Sequence, residues 1–276
     1  MGFLRSLYYS LPINLRYPAR KLAGFFTWEK TEYFNGLMLP RKGDIFTGRG
    51  DFIKEGKEVL SLAKKEGLIS PDSKVLDIGS GMGRVAYPLT AYLSENGCYE
   101  GFDVVAKGVK FCTRHISVRY SNFKFTHVSL VNDLYTAAGA NAESFVFPYP
   151  DNHFDFAVAN SLFTHLQEGE TLNYLKEAFR TLNPGGYLYA TFFLLNKERS
   201  YNVEKAFFKF PHHRGNYALM SSKVKAANVA FEEIFLLKVC QRCGFEVKLN
   251  FKGKWDGLRD TKNFQDILIL QKPYLF

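Results

Sequence analysis

A short apolar run, Val75-Leu76-Asp77-Ile78, gives way to Gly79-Ser80-Gly81-Met82-Gly83-Arg84 and resumes as Val85-Ala86-Tyr87-Pro88-Leu89. Few folds accommodate three glycines at alternate positions between two runs of buried character. The pattern reads as strand, tight turn, helix. Glycines in such a turn let the backbone take φ > 0 and let a ligand approach main-chain N–H groups that a Cβ would block. A helix start beyond the turn favours negative charge. The segment is therefore read as a cradle for a small polar ligand, against the plain alternative of a strand–helix turn that holds nothing.

The spacing narrows the ligand. A dinucleotide turn has the pattern G-x-G-x-x-G, and a phosphate loop ends in G-K-[ST]. Here the pattern is G-x-G-x-G, with Asp77 two residues before the first glycine and Arg84 after the last.

The rest of the chain alternates between periods of 2 and 3.6 residues. Helices are predicted at Asp51–Glu66, Gly83–Ser94, Ala106–Tyr120, Glu170–Leu182 and Phe231–Cys243. Strands are predicted at Val75–Ile78, Cys98–Asp103, Phe123–Leu130, Phe154–Ala159, Tyr187–Leu195, Phe245–Phe251 and Asp266–Gln271. Alternating strands and helices imply an α/β fold with a mostly parallel sheet and helices on both faces. The second strand ends in Asp103, twenty residues beyond Gly83. An acid there can accept hydrogen bonds from both hydroxyls of a ribose, for NAD and other nucleosides alike; a helix N-cap is the alternative role.

Charge is unevenly spread. The net +9 arises almost wholly from two stretches, residues 1–50 and 196–230, each with a balance of +5. Both interleave aromatics with the basic residues: Tyr8, Tyr9, Tyr17 and Trp28 in the first, Tyr201, Phe207, Phe208 and Tyr217 in the second. Such stretches face an anionic substrate, a nucleic acid or a membrane surface, or else they are solvated cations above aromatics packed on a core.

Cys240-Gln-Arg-Cys243 lacks the second ligand pair of a zinc site, so no metal is expected. Four cysteines without a scaffold spacing fit a reducing compartment. No apolar run reaches the ~18 residues of a membrane-spanning helix. A cytoplasmic protein is expected, with attachment at a membrane surface left open by the basic aromatic stretches.

The glycine turn resembles the first motif of class I S-adenosylmethionine (SAM)-dependent methyltransferases. Phe147-Pro-Tyr-Pro-Asp-Asn-His-Phe-Asp155, Asn160-Ser-Leu-Phe-Thr-His-Leu166 and Glu177-Ala-Phe-Arg-Thr-Leu-Asn-Pro-Gly-Gly186 follow in the order of that family's later motifs. The resemblance covers roughly residues 51–195 and, more weakly, the last two strands. It implies a Rossmann-like seven-stranded sheet in the order 3-2-1-4-5-7-6 with strand 7 antiparallel. It implies SAM as cofactor, with Asp77, Gly79, Gly81 and Gly83 around the methionine moiety and Asp103 on the ribose. Phe102 or Val104 would lie beside the adenine. Where the family often has an acid for the adenine amino group, this chain has Ser129, followed by Leu130. Asn160 would lie beside the transferred methyl.

The implied organisation is an N-terminal arm at 1–50 and a methyltransferase domain at 51–276, with 196–230 as a substrate lid. The implied reaction is methylation of a small-molecule hydroxyl on a glycan, lipid-linked or natural-product acceptor. An RNA or protein methyltransferase and a non-catalytic SAM-binding protein are the alternatives. An oxygen nucleophile usually needs a base; the candidates are His165, His212 and His213.

Overall fold

The computed structural model describes residues 11–12, 31–46, 50–136, 138–196, 204 and 206–274. Most of the basic arm at 1–50, residues 47–49 of the loop before the first long helix, and the start of the 196–230 stretch lie outside the described residues. The chain divides into two compact units, residues 1–129 with 135–139, and residues 130–134 with 140–276.

Among the described residues, the first elements of the first unit are a small hairpin of β1 (Tyr33–Phe34) and β2 (Leu37–Met38). Helix α1 (Phe52–Lys65) follows; Asp51 caps it by accepting the Lys54 N–H at 2.9 Å. Its Phe52, Val59 and Ala63 are buried, at the spacing of one helix face. Strand β3 (Lys74–Ile78) leads into the glycine turn. Helix α2 (Ala86–Leu89), strand β4 (Cys98–Asp103), helix α3 (Ala106–Cys112) and strand β5 (Phe123–His127) complete the unit. β3 and β5 each pair in parallel with β4.

Helix α2 is far shorter than the predicted Gly83–Ser94. Its third residue is Pro88, and the Thr90 hydroxyl donates to the Tyr87 carbonyl at 2.7 Å. Local side-chain bonds of this kind compete with the helix ladder.

In the second unit β6 (Phe154–Ala159) is followed by α4 (Glu168–Thr181) and β7 (Leu182–Phe192). The predicted strand Tyr187–Leu195 is in fact two. Phe193 separates β7 from β8 (Leu194–Leu195), which joins a different sheet. That sheet also contains β9 (His212–His213), β10 (Tyr217–Leu219) and β11 (Val229–Glu232), in the order β8-β11-β10-β9. The residues predicted to open the last helix, Phe231 and Glu232, belong to β11, and α5 spans Glu233–Arg242. Strands β12 (Glu246–Phe251) and β13 (Asp266–Gln271) close the chain.

The main sheet has seven strands in the order β12-β13-β7-β6-β3-β4-β5. Numbered within the sheet, this is the expected 3-2-1-4-5-7-6. The last strand, β13, is antiparallel to both β7 and β12, whereas β6 and β7 are parallel. β13 is buried along its whole length, as a strand inside a two-sided α/β sheet must be.

Candidate cofactor turn and acid–base site

All three turn glycines have left-handed backbones, with φ of 80° at Gly79, 57° at Gly81 and 85° at Gly83. Side-chain-bearing residues rarely adopt that region, so the alternate glycines follow from the turn's shape. The turn is also hemmed in. A Cβ on Gly108 of α3 would stand 2.3 Å from the Gly81 carbonyl oxygen. One on Gly101 of β4 would stand 2.8 Å from the Ser80 Cβ.

The turn does not present a row of open N–H donors, as the sequence reading supposed. The Gly79 and Ser80 N–H groups both donate to the Phe102 carbonyl, at 3.0 and 2.9 Å. Gly83 N–H donates to Ser80 O at 2.9 Å, and Gly81 N–H to the Asp103 Oδ2 at 2.8 Å. Asp103 Oδ1 takes the Val105 N–H at 2.7 Å. Asp103 thus ties the end of β4 to the glycine turn and to Val105, the residue before α3.

What remains beside the turn is a pair of buried carboxyl groups. Asp77 and Asp103 are both buried, at 2% and 8% exposure. Asp77 Oδ2 accepts the Tyr99 hydroxyl at 2.5 Å. Burial pushes the Asp77 carboxyl up to about 7; the Tyr99 bond opposes this and the negative Asp103 adds to it. Burial likewise pushes Asp103 up to about 6, against the pull of the N–H groups it accepts and of His127. Among the described residues, neither carboxylate has a cation in an ion pair with it. Arg84 instead pairs with Glu55 of α1 and lies 5.7 Å from the Phe52 ring centre. Two buried carboxylates without a paired cation favour a positively charged ligand over an anionic one.

The remaining cofactor candidates fall as follows. Phe102 is packed in the core at 2% exposure, while Val104 is half-buried and Ser129 exposed. Leu130 is buried in the second unit, bridged to Ala140. Asn160, half-buried, directly follows β6.

The end of β6 also holds a feature that sequence reasoning missed. Ser161 has φ of 61° although it is not a glycine. Its N–H donates to the Thr191 hydroxyl at 2.7 Å and its own hydroxyl donates to Gln265 Oε1 at 3.0 Å. Strain of this kind persists only where surrounding structure fixes it, and such positions concentrate at functional sites.

Of the three candidate bases, His165 has the defined environment. It ends a short 3₁₀ turn, Phe163–His165, four residues beyond Ser161. Its Nδ1 lies 2.7 Å from the Ala226 carbonyl oxygen, and burial holds its pKa below the usual imidazole value. His212 and His213 lie elsewhere, on the edge strand β9, where His213 is exposed.

All four thiols are free, and Cys240 and Cys243 stand one helical turn apart at the end of α5. Cys112 and Cys240 are buried, and Cys98 and Cys243 half-buried. Burial raises the Cys112 thiol, the negative Asp103 and Asp77 adding to it, and pushes the Cys240 thiol up to about 12. Among the described residues no group of three or more His, Cys, Asp or Glu is placed to hold a metal ion, and no helix is long and apolar enough to cross a membrane.

Residues 75–186 match a family model described as a methyltransferase domain. An arsenite methyltransferase of Aquipseudomonas alcaligenes is 32% identical over 127 residues, 45% of this chain and 34% of that protein. One from Rattus norvegicus is 26% identical over 166 residues, 56% of this chain and 42% of that protein. The chain thus spans well under half the length of these curated relatives. In fold it is similar to a SAM-dependent methyltransferase of Methanosarcina mazei, with a TM-score of 0.50 and 21% identity over 77% of this chain and 98% of that one. It is also similar to the [4+2]-cyclase SpnF, with a TM-score of 0.55 and 17% identity over 98% and 95%.

Proposed function

We propose that this chain, which belongs to the class I SAM-dependent methyltransferases, transfers the SAM methyl group to a hydroxyl of a small-molecule acceptor. Glycan, lipid-linked and natural-product alcohols are the acceptor classes in view. The observation that carries the cofactor half is the pair of buried carboxylates, Asp77 and Asp103, on a left-handed glycine turn. SAM is cationic at its sulfonium and its ammonium, whereas NAD brings a pyrophosphate that these carboxylates would repel. The residues present therefore fit SAM. Asp77, Gly79, Gly81 and Gly83 would hold its methionine end, and Asp103 its ribose, through lone pairs beyond those given to Gly81 and Val105. Val104, Ser129, Leu130 and Asn160 complete the proposed set.

Bound SAM supplies a methyl group already activated on sulfur, so orientation of the acceptor accounts for much of the rate. The protein's further task is to take the acceptor's hydroxyl proton. We assign that to His165. A carbonyl can only accept, so the bond to Ala226 requires the His165 Nδ1 to donate. The neutral ring then offers Nε2 as the proton acceptor, and the lowered pKa keeps it neutral at physiological pH.

The acceptor-selecting part is assigned to residues 196–230. Its described residues include β9 and β10 and bury Ala218, Leu219 and Val224. They form a folded sheet, which suits a shaped acceptor wall better than a loose flap.

The curated relatives are named for arsenite. Trivalent arsenic is a soft centre that prefers thiolates, and burial raises the Cys112, Cys240 and Cys243 thiols, which favours their protonated form. A carbon-bound hydroxyl is therefore the better acceptor for this chain. The test is calorimetry with SAM, S-adenosylhomocysteine and NAD, followed by labelled-methyl transfer to a panel of alcohols and to arsenite. Binding of NAD but not SAM overturns the cofactor reading. Label appearing on arsenic and on no alcohol overturns the acceptor reading.

A further inference from the structure

One carboxylate, far away in sequence, binds the middle of the segment from Ser221 to Asn228. Asp133 Oδ2 accepts the Lys225 N–H at 2.7 Å and its Oδ1 accepts the Ala226 N–H at 2.9 Å. These are the first N–H groups of the 3₁₀ turn Lys225–Ala227. Among the described residues that turn has no other side-chain cap; Val224, just before it, donates its N–H to the Ser221 hydroxyl at 3.3 Å. The carbonyl of the same Ala226 is the one that meets His165 Nδ1 at 2.7 Å. The two contacts lie on one residue, in consecutive peptide units joined at the Ala226 Cα. The peptide unit of the Ala226 carbonyl carries the Ala227 N–H, which donates to the Val224 carbonyl at 3.1 Å, and the charge-assisted bonds to Asp133 hold the two N–H groups before it.

We infer that Asp133 is a positioning residue: through the turn Lys225–Ala227 it holds the Ala226 carbonyl on His165 and so fixes the imidazole in the tautomer whose Nε2 takes the proton. The inference rests on His165 being the base of the proposed transfer. Asp133 itself touches neither acceptor nor cofactor in this scheme. It acts as a carboxylate does behind a catalytic imidazole, with a peptide carbonyl interposed.

Nearby charged groups do not duplicate this task. Glu170 is close enough to Asp133 and Lys225 to sense both, but its Oε2 accepts the Gln167 N–H at 2.7 Å. Glu143 is also part of this acidic surrounding. Tyr217 directs its hydroxyl to Gln167 Oε1 at 3.4 Å. Removing Asp133 therefore takes two charge-assisted bonds from the turn and leaves it the Ala227 N–H bond to the Val224 carbonyl, and the bias of the His165 ring between Nδ1–H and Nε2–H weakens.

The experiment is ¹⁵N NMR of imidazole-labelled full-length protein at neutral pH, with no ligand added. The His165 signals are assigned by their absence from His165→Gln. A roughly tenfold excess of the Nδ1–H form is expected in the wild type, falling at least about fivefold in Asp133→Ala. Asp133→Asn keeps one accepting oxygen and is expected to lie between the two. It serves as the decisive comparison if the alanine variant fails to fold. An Nε2–H form in the wild type, or a ratio unchanged in a folded variant, overturns the positioning role. The catalytic half is read separately, by methyl transfer to the acceptor found in the panel. If the ratio shifts as expected while His165→Gln turns over normally, the base assignment falls and with it the functional meaning of the relay.

Discussion

Replacing Asp77 with asparagine should stabilise the protein at alkaline pH and weaken its hold on SAM. The buried carboxyl is pushed up from 3.8 to about 7. At about 1.36 kcal/mol per pH unit, the folded chain favours the protonated form by roughly 4 kcal/mol. Because the folded pKa lies above the unfolded one, this stabilisation is complete below pH ~4, is lost as the pH climbs towards about 7, and is flat beyond that. Two of the three units lie above pH 5. Wild type should therefore lose about 3 kcal/mol through this group between pH 5 and pH 8. Asparagine has the same outline and an oxygen to accept the Tyr99 hydroxyl, and it has no charge to desolvate. In urea unfolding at the two pH values, the stability of Asp77→Asn should fall about 3 kcal/mol less than that of wild type. Calorimetry at pH 8 should show SAM binding weakened at least about tenfold, since the cation loses a buried counter-charge. Equal pH dependence in the two proteins would refute the claim that Asp77 is desolvated. Unchanged SAM affinity would refute its role as the counter-charge.

Two further substitutions test the framework around these sites. Gly108→Ala should destabilise by more than about 1 kcal/mol in urea unfolding and weaken SAM binding. Helix propensity alone predicts a gain of about that size, but the new Cβ would lie 2.3 Å from the Gly81 carbonyl and displace the turn. Asp266→Ala should cost about 3 kcal/mol or more in the same assay. Asp266 Oδ2 accepts the Leu194 N–H and Trp255 Nε1–H, and its Oδ1 the Gly253 N–H, each at 2.8 Å; alanine leaves all three buried donors without that acceptor.

The strand plan was largely legible because each strand is a local pattern. Cys98–Asp103, Phe154–Ala159 and Asp266–Gln271 stand where their apolar runs place them. The glycine turn was legible for the same reason: left-handed backbone needs glycine, and spacing shows where. What the turn's backbone bonds to was not. Asp103 reaches Gly81 across 22 residues and Asp77 meets Tyr99 across another 22, and no local pattern encodes such pairings. The second sheet was missed because β8, β9 and β10 have two or three residues each, too few to show alternation. Ser161 and Asp133 carry no composition signal; one matters through its φ angle, the other through an acceptor role 92 residues away.

Phe193 is the residue where one strand leaves the main sheet and enters the other: Phe192 pairs with Asp266, and Leu194 pairs with Phe231. Side chains of a strand alternate with a period of two residues. Adding or deleting one residue here would exchange the sides on which Leu194 and Leu195 lie, both of them buried, even with every side chain unchanged. Length, more than residue identity, is thus what this position constrains. Descendants of this chain can vary in sequence on either side of Phe193, but an odd-numbered insertion or deletion there would have to rebuild the cluster of Leu195, Phe210, Ala218, Ala230 and Trp255 at the same time.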